Sequence, residues 1–209
     1  MKNLIPFFAI LAIATSCSNE QITPTNPIIN LMNLKVGNYW VYDWYEIDIT
    51  NGNTTNLKKR DSTIIEKDTV INGRTCFIKK GNYYGNKQMT RQIIFDSINS
   101  IYTFPDKEVI LTLDKTSIVA KNFGFKENPI AIGYYSLDDN RVSIQVPAGN
   151  FQSINFRGRI EPQQPDYLYG IRYNDNYYAD NVGLTKIRTQ FYSLPNDLEM
   201  RLAKYGSIK

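Results

Sequence analysis

NGNTTNLKKRDSTIIEKDTVINGRTCFIKK, residues Asn51 to Lys80, holds two Asn-Gly pairs, Asn51-Gly52 and Asn72-Gly73, with strand-forming residues between and after them. A tight type I′ turn needs positive φ at both central positions, which Asn and Gly tolerate, so each pair predicts a hairpin with antiparallel neighbours. Residues 38 to 80 therefore read as a meander of three or more strands. The pattern continues along the chain in QMTRQIIFD, SIYTF, a Pro105-Asp106 turn, VILTL, RVSIQV, a Pro147-Ala148-Gly149 turn, FQSINFRGRI, YLYGIRY, GLTKIRTQFYS and LEMRLAKYG. About ten to twelve strands follow from these segments, and no long stretch keeps a helical apolar stripe, although residues 196 to 204 would also suit a short helix. The expected class is mostly β: an antiparallel sheet forming a barrel, half-barrel or sandwich, with at most one or two short helices.

Composition agrees with one folded domain. The chain has 209 residues, 42% hydrophobic and 21% charged, and its 15 Tyr and 10 Phe favour strands. A net charge of +4 is spread among acidic residues, and the one basic cluster, Lys58-Lys59-Arg60, runs straight into Asp61. No nucleic-acid partner is expected from such a distribution.

The chain contains no histidine. That removes Ser-His-Asp and Cys-His catalysis and His-based zinc sites. Carboxylate pairs remain as candidates for glycan hydrolysis: Asp43 with Glu46, Asp138 with Asp139, and Glu161 with Asp166. Hydrolysis needs two carboxyls facing across a cleft, and these pairs read more simply as turns and solvated surface. YNDNYYADN, Tyr173 to Asn181, offers oxygen ligands but lacks the spacing and terminal Glu of a calcium loop. The expectation is a non-enzymatic chain with no catalytic residues, no metal and no cofactor.

The N-terminus carries an address. MKNLIPFFAILAIATS has one positive charge at Lys2 and an apolar run too short to span a bilayer, as in a signal peptide. Its small residues Ala14-Thr15-Ser16 stand directly before Cys17, which resembles the lipobox of bacterial lipoproteins. That resemblance implies cleavage before Cys17, a diacylglycerol on its thiol, and acylation of the new amino terminus, a palmitate-type anchor. Two or three acyl chains hold stably in a membrane. Ser18, where an Asp would mark retention, implies an outer-membrane destination in that family, on either face. The expected organisation is a signal peptide over 1–16, lipidated Cys17 and a flexible tether over 17–33, and a single β domain over 34–209. With Cys17 lipidated, Cys76 has no intrachain partner, and its place in RTCFIKK reads as a small buried hydrophobe.

LKVGNYWVY (Leu34–Tyr42), VPAGNFQSINF (Val146–Phe156) and YYADNVGLTKI (Tyr177–Ile187) together resemble a group of uncharacterised envelope lipoproteins with glycine-aromatic strands. The resemblance implies an antiparallel β body on a lipid anchor and brings no catalytic residues. Gly149 is expected at a positive-φ turn position and Gly183 at a bend.

In GNYWVYDWYEID, Gly37 to Asp48, alternation puts Tyr39, Val41, Asp43, Tyr45, Ile47 and Ile49 on one face and Trp40, Tyr42 and Trp44 on the other. The first face is apolar for longer and is expected to be the core face. Trp40, Tyr42 and Trp44 are then the candidate ligand-binding residues, with three readings open. They cap the sheet under a loop or the tether, line a cavity for a lipid or other hydrophobic ligand, or form a sugar-stacking platform. The expected function is accordingly a lipid-anchored binding or scaffolding β domain, with a hydrophobic-ligand carrier or a glycan-binding or glycan-hydrolysing surface as alternatives. Nothing in the sequence sets the oligomeric state.

Overall fold

The computed structural model describes residues 31–125, 127–164, 170–190 and 195–208. The expected signal peptide, Cys17, the tether as far as residue 30, and Asp166 lie outside the described residues. Twelve strands follow one another: β1 (Asn38–Ile47), β2 (Thr54–Ile71), β3 (Arg74–Gly81), β4 (Thr90–Ser97), β5 (Ser100–Phe104) and β6 (Val109–Thr112) form a first meander. A second comprises β7 (Val119–Gly124), β8 (Pro129–Val146), β9 (Gly149–Pro162), β10 (Arg172–Ala179), β11 (Gly183–Gln190) and β12 (Asp197–Ser207). All are antiparallel in one sheet of order β6-β5-β4-β3-β2-β1-β12-β11-β10-β9-β8-β7.

That order dictates the shape. The two edge strands, β6 and β7, are consecutive in the chain. Laid flat, twelve strands at about 4.8 Å spacing would hold them roughly 50 Å apart, whereas the link from Thr112 to Val119 can reach only about 25 Å. The sheet must curl until its edges approach, and it forms a nearly closed barrel. Among the described residues no helix is long and apolar enough to cross a membrane.

The turns follow their chemistry with one difference. Asn72 and Gly73 both have positive φ, 51° and 74°, and join Ile71 to Arg74 in the predicted tight hairpin. Asn51-Gly52 sits instead in a wider loop. There the Asp48 carboxylate accepts bonds from the Thr50 amide at 2.8 Å and the Asn51 amide group at 2.8 Å, and Gly52 N–H donates to Asp48 O. An Asx-type turn outcompetes the two-residue turn at this position. Gly149 has φ of 138° and closes the β8–β9 hairpin opposite Val146. Residues 197 to 204, which would also have suited a helix, form β12, paired along β1 and β11.

The faces of β1 are the reverse of expectation. Trp40, Tyr42 and Trp44 point inward and are 5%, 5% and 1% exposed, while Tyr39, Val41 and Tyr45 are half-buried on the outside and Ile49 is 49% exposed in the turn. The outer rings are covered by long cationic side chains of β12: the Arg201 guanidinium lies 4.3 Å from the Tyr45 ring centre, and the Lys204 amine 5.8 Å from that of Tyr39. Such stems shield apolar surface while their heads stay wet. Ile47, grouped with these residues, is buried.

The interior is filled unevenly. Under β8 to β10 it is filled by Tyr135, Phe156, Ile154 and Ile160. Tyr135 lies where a Cβ on Gly158 would come within 2.5 Å of its ring, so glycine at 158 makes the space that ring occupies. Leu31 is 2% exposed and Leu34 is also buried, so the chain enters the core a little before the expected domain start at Leu34. Cys76 is a free, buried thiol, as expected.

Candidate functional site

The other half of the barrel keeps a cavity of about 490 Å³. That volume lies within the range of roughly 300 to 1,000 Å³ typical of small-ligand sites. Its walls come from β1 to β4, from β6, from β10 to β12 and from the segment before β1. Trp40, Ile65, Ile94, Leu184, Ile187 and Met200 make the apolar part of the wall. The rim is polar, formed by exposed Tyr83, Thr90, Arg91 and Gln92.

The candidate residues from β1 do different work here. Trp40 lines the cavity and donates from Nε1 to Val182 O at 2.5 Å. Gly183, with φ of 95°, lets the chain turn so closely that an added Cβ would sit 3.2 Å from Trp40 Nε1 and 3.3 Å from Met32 O. A bend was expected at this glycine, and the close approach is its reason. Tyr42 also lines the cavity, and its hydroxyl donates to Leu184 O at 3.1 Å. Burial pushes the Tyr42 hydroxyl well above its ordinary pKa, with the neighbouring Tyr178 adding to the shift. Trp44 stands apart, wedged edge-on between Tyr83 and Tyr84 at 5.4 and 5.2 Å, with Nε1 donating to Asp61 at 2.7 Å.

Asp61 is the carboxylate in the cavity wall among the described residues, and its oxygens are taken. Besides Trp44 it accepts from the Tyr84 amide at 2.9 Å, the Gly85 amide at 2.7 Å and Asn82 Nδ2 at 3.3 Å. It therefore pins the link between β3 and β4 that carries Tyr83 to the rim. Asn82 adds bonds to Arg60 O and Asn86 O. A polar group buried at this cost is normally satisfied, as this one is.

Lys79 is the group that sequence reading missed. It faces inward from β3, between Ile65 of β2 and Gln92 of β4, and is half-buried, with part of its surface open to the cavity. Burial pushes its ammonium below the usual lysine pKa, and no other cause contributes. Among the described residues it has no hydrogen-bond or ion-pair partner. In RTCFIKK, alternation puts Lys79 with Phe77 on the face opposite Cys76, and that lysine on a half-apolar face was the available signal.

Among the described residues each acidic candidate has a partner of its own, and Asp166 lies outside them. Asp43 is held by Arg60 at 2.7 and 3.1 Å, and Glu46 accepts from Asn196 at 3.0 Å. Asp138 accepts from Asn140 at 2.9 Å, Asp139 pairs with Lys115, and Glu161 pairs with Arg159. In Tyr173 to Asn181, Asp175 meets Asn155 at 2.8 Å and Asp180 meets Arg141 at 2.8 Å. These carboxylates serve as partners for neighbouring cations and amides on the barrel wall and its turns.

No family model and no curated protein matches the sequence. Among solved structures, the chain is similar to a "putative lipoprotein" from Parabacteroides distasonis, with a TM-score of 0.50 and 13% identity over 82% of this chain and 96% of that one. It is also similar to a "putative exported protein with YmcC-like fold" from Bacteroides fragilis, with a TM-score of 0.46 and 10% identity over 83% and 97%. The likeness to the Parabacteroides protein is one of fold: the curled antiparallel sheet described above is an architecture that this chain shares with a solved structure.

Proposed function

We propose that this chain is a lipid-anchored outer-membrane protein whose barrel binds a hydrophobic or amphipathic small molecule and performs no catalysis. The observation that carries the binding reading is the cavity beside Trp40 and Tyr42, apolar at its wall and polar at its rim. It favours the carrier alternative over the sugar platform, because the three rings of β1 point inward where no flat exposed face offers them to a glycan. It also disfavours hydrolysis, since Asp61 is occupied by four donors and faces no second carboxylate across the cavity among the described residues. The anchor rests on Cys17 and the residues before it, and the description of the structurally similar Parabacteroides chain supports the same address.

Both tryptophans of the chain lie on β1 and Trp40 lines the cavity, so fluorescence reports on the site. Full-length protein in phosphatidylcholine nanodiscs is titrated with ω-bromoundecanol, whose bromine quenches nearby indoles. Saturable quenching above that of protein-free discs is expected, with none from maltohexaose. Quenching by the sugar alone would reverse the reading. For the anchor, Cys17→Ser should abolish labelling by an alkyne palmitate analogue and release the chain from membranes; a variant still labelled and sedimenting would refute lipidation at Cys17.

A further inference from the structure

Arg91, the other cation beside Lys79 in the cavity lining among the described residues, has an anionic partner. Arg91 makes two bonds to Glu66, at 2.7 and 2.9 Å, and Lys80 lies 3.8 Å from the same carboxylate. Arg60, behind the rim, holds Asp43. Lys79 has none among the described residues, and Asp61, the carboxylate of the same wall, is already filled by Trp44, Asn82, Tyr84 and Gly85. Lys79 therefore has no direct anionic partner in the cavity wall. A second polar group is also open: Tyr178 lines the same space, and its hydroxyl has no hydrogen-bond partner among the described residues.

An unpaired, half-buried ammonium beside Ile65 is a costly arrangement, since the charged form loses part of its hydration with no ion pair in return. A Met or Ile at this position would pack on the same neighbours without that cost. Lysine makes physical sense there if an anion arrives with the ligand, because a charge-assisted bond in a partly dry site is stronger than one in water. The rest of the wall is apolar and suits an alkyl chain.

Resting on the cavity reading above, we propose that the barrel takes a single-chain anionic amphiphile, a carboxylate or phosphate monoester on an alkyl tail, with Lys79 as its counter-ion and Tyr178 as an additional donor. The tail lies along Trp40, Leu184, Ile187 and Met200, and the head meets Lys79. Lys79 acts as a binding residue that selects charge; no bond is made or broken.

The test compares ω-bromoundecanoate, ω-bromoundecyl phosphate and ω-bromoundecanol on full-length wild type, Lys79→Met and Lys79→Arg in the same nanodiscs. Wild type should bind at least one anion roughly tenfold or more tighter than the alcohol. Lys79→Met should lose that preference while keeping the alcohol, and Lys79→Arg should retain it. Preference for the carboxylate assigns a fatty-acid-like ligand, and preference for the phosphate a phosphorylated one. Equal affinity of wild type for alcohol and anions overturns the assignment of Lys79 and leaves the cavity standing, as does an anion preference that survives Lys79→Met. Absence of quenching by all three compounds overturns the cavity reading itself.

Discussion

Lys79 holds a positive charge between Ile65 and Gln92 with no counter-ion among the described residues, and the consequence for stability has a definite sign. Its folded pKa is pushed down by burial, while the unfolded chain keeps the ordinary value of about 10.4. Below the folded value both states are protonated and the full burial cost is felt. Between the two values the unfolded chain binds more protons, so stability rises with pH. Lys79→Met should therefore melt at a higher temperature than wild type at neutral pH, with the gap narrowing as pH climbs towards the lysine range. Tyr42 and Tyr178 titrate with the opposite sign, since burial raises their pKa values, so their folded-state advantage disappears at high pH. They are common to both proteins and cancel in the difference. Melting curves over a pH series check this, and a variant less stable than wild type at pH 7 would mean that the ammonium is already paired.

At the scale of the element, β1 shows what alternation can and cannot decide. The period was legible, and so were the two face sets, yet the choice between them went the wrong way. Counting apolar positions favoured Tyr39, Val41, Tyr45, Ile47 and Ile49. The structure puts the larger rings inside because their polar atoms find acceptors there: Val182 O for Trp40, Leu184 O for Tyr42 and Asp61 for Trp44. Two of those partners lie 142 residues away, in β11 and the turn before it, and the third lies 17 away in β2, and no local pattern announces them. Asn72-Gly73 was legible because the information is local, two residues that tolerate positive φ. Asn51-Gly52 was half legible, since Asp48 supplies a competing set of side-chain bonds. Lys79 escaped notice for a related reason: its lack of a partner is a property of the assembled wall and not of RTCFIKK.

Across the whole molecule, strand content and antiparallel pairing followed from turn spacing, whereas closure followed from pairings that span the chain. β1 meets β12, so the two meanders join at the chain's ends and leave consecutive strands β6 and β7 at the open edges. Residue volumes then divide the interior: Tyr135 over Gly158, with Phe156 and Ile160, fills one half, and the other half is left hollow beneath β1 to β4. On this reading the hollow is a binding site for an anionic alkyl chain. A crystal structure of the full-length protein grown with ω-bromoundecanoate tests it most directly, through the anomalous signal of bromine. A bromine peak is expected inside the barrel among Trp40, Ile187 and Met200, with the carboxylate within hydrogen-bond distance of Lys79 Nζ. A ligand found only on the outer face of the sheet, with Lys79 paired to a protein carboxylate, would contradict it.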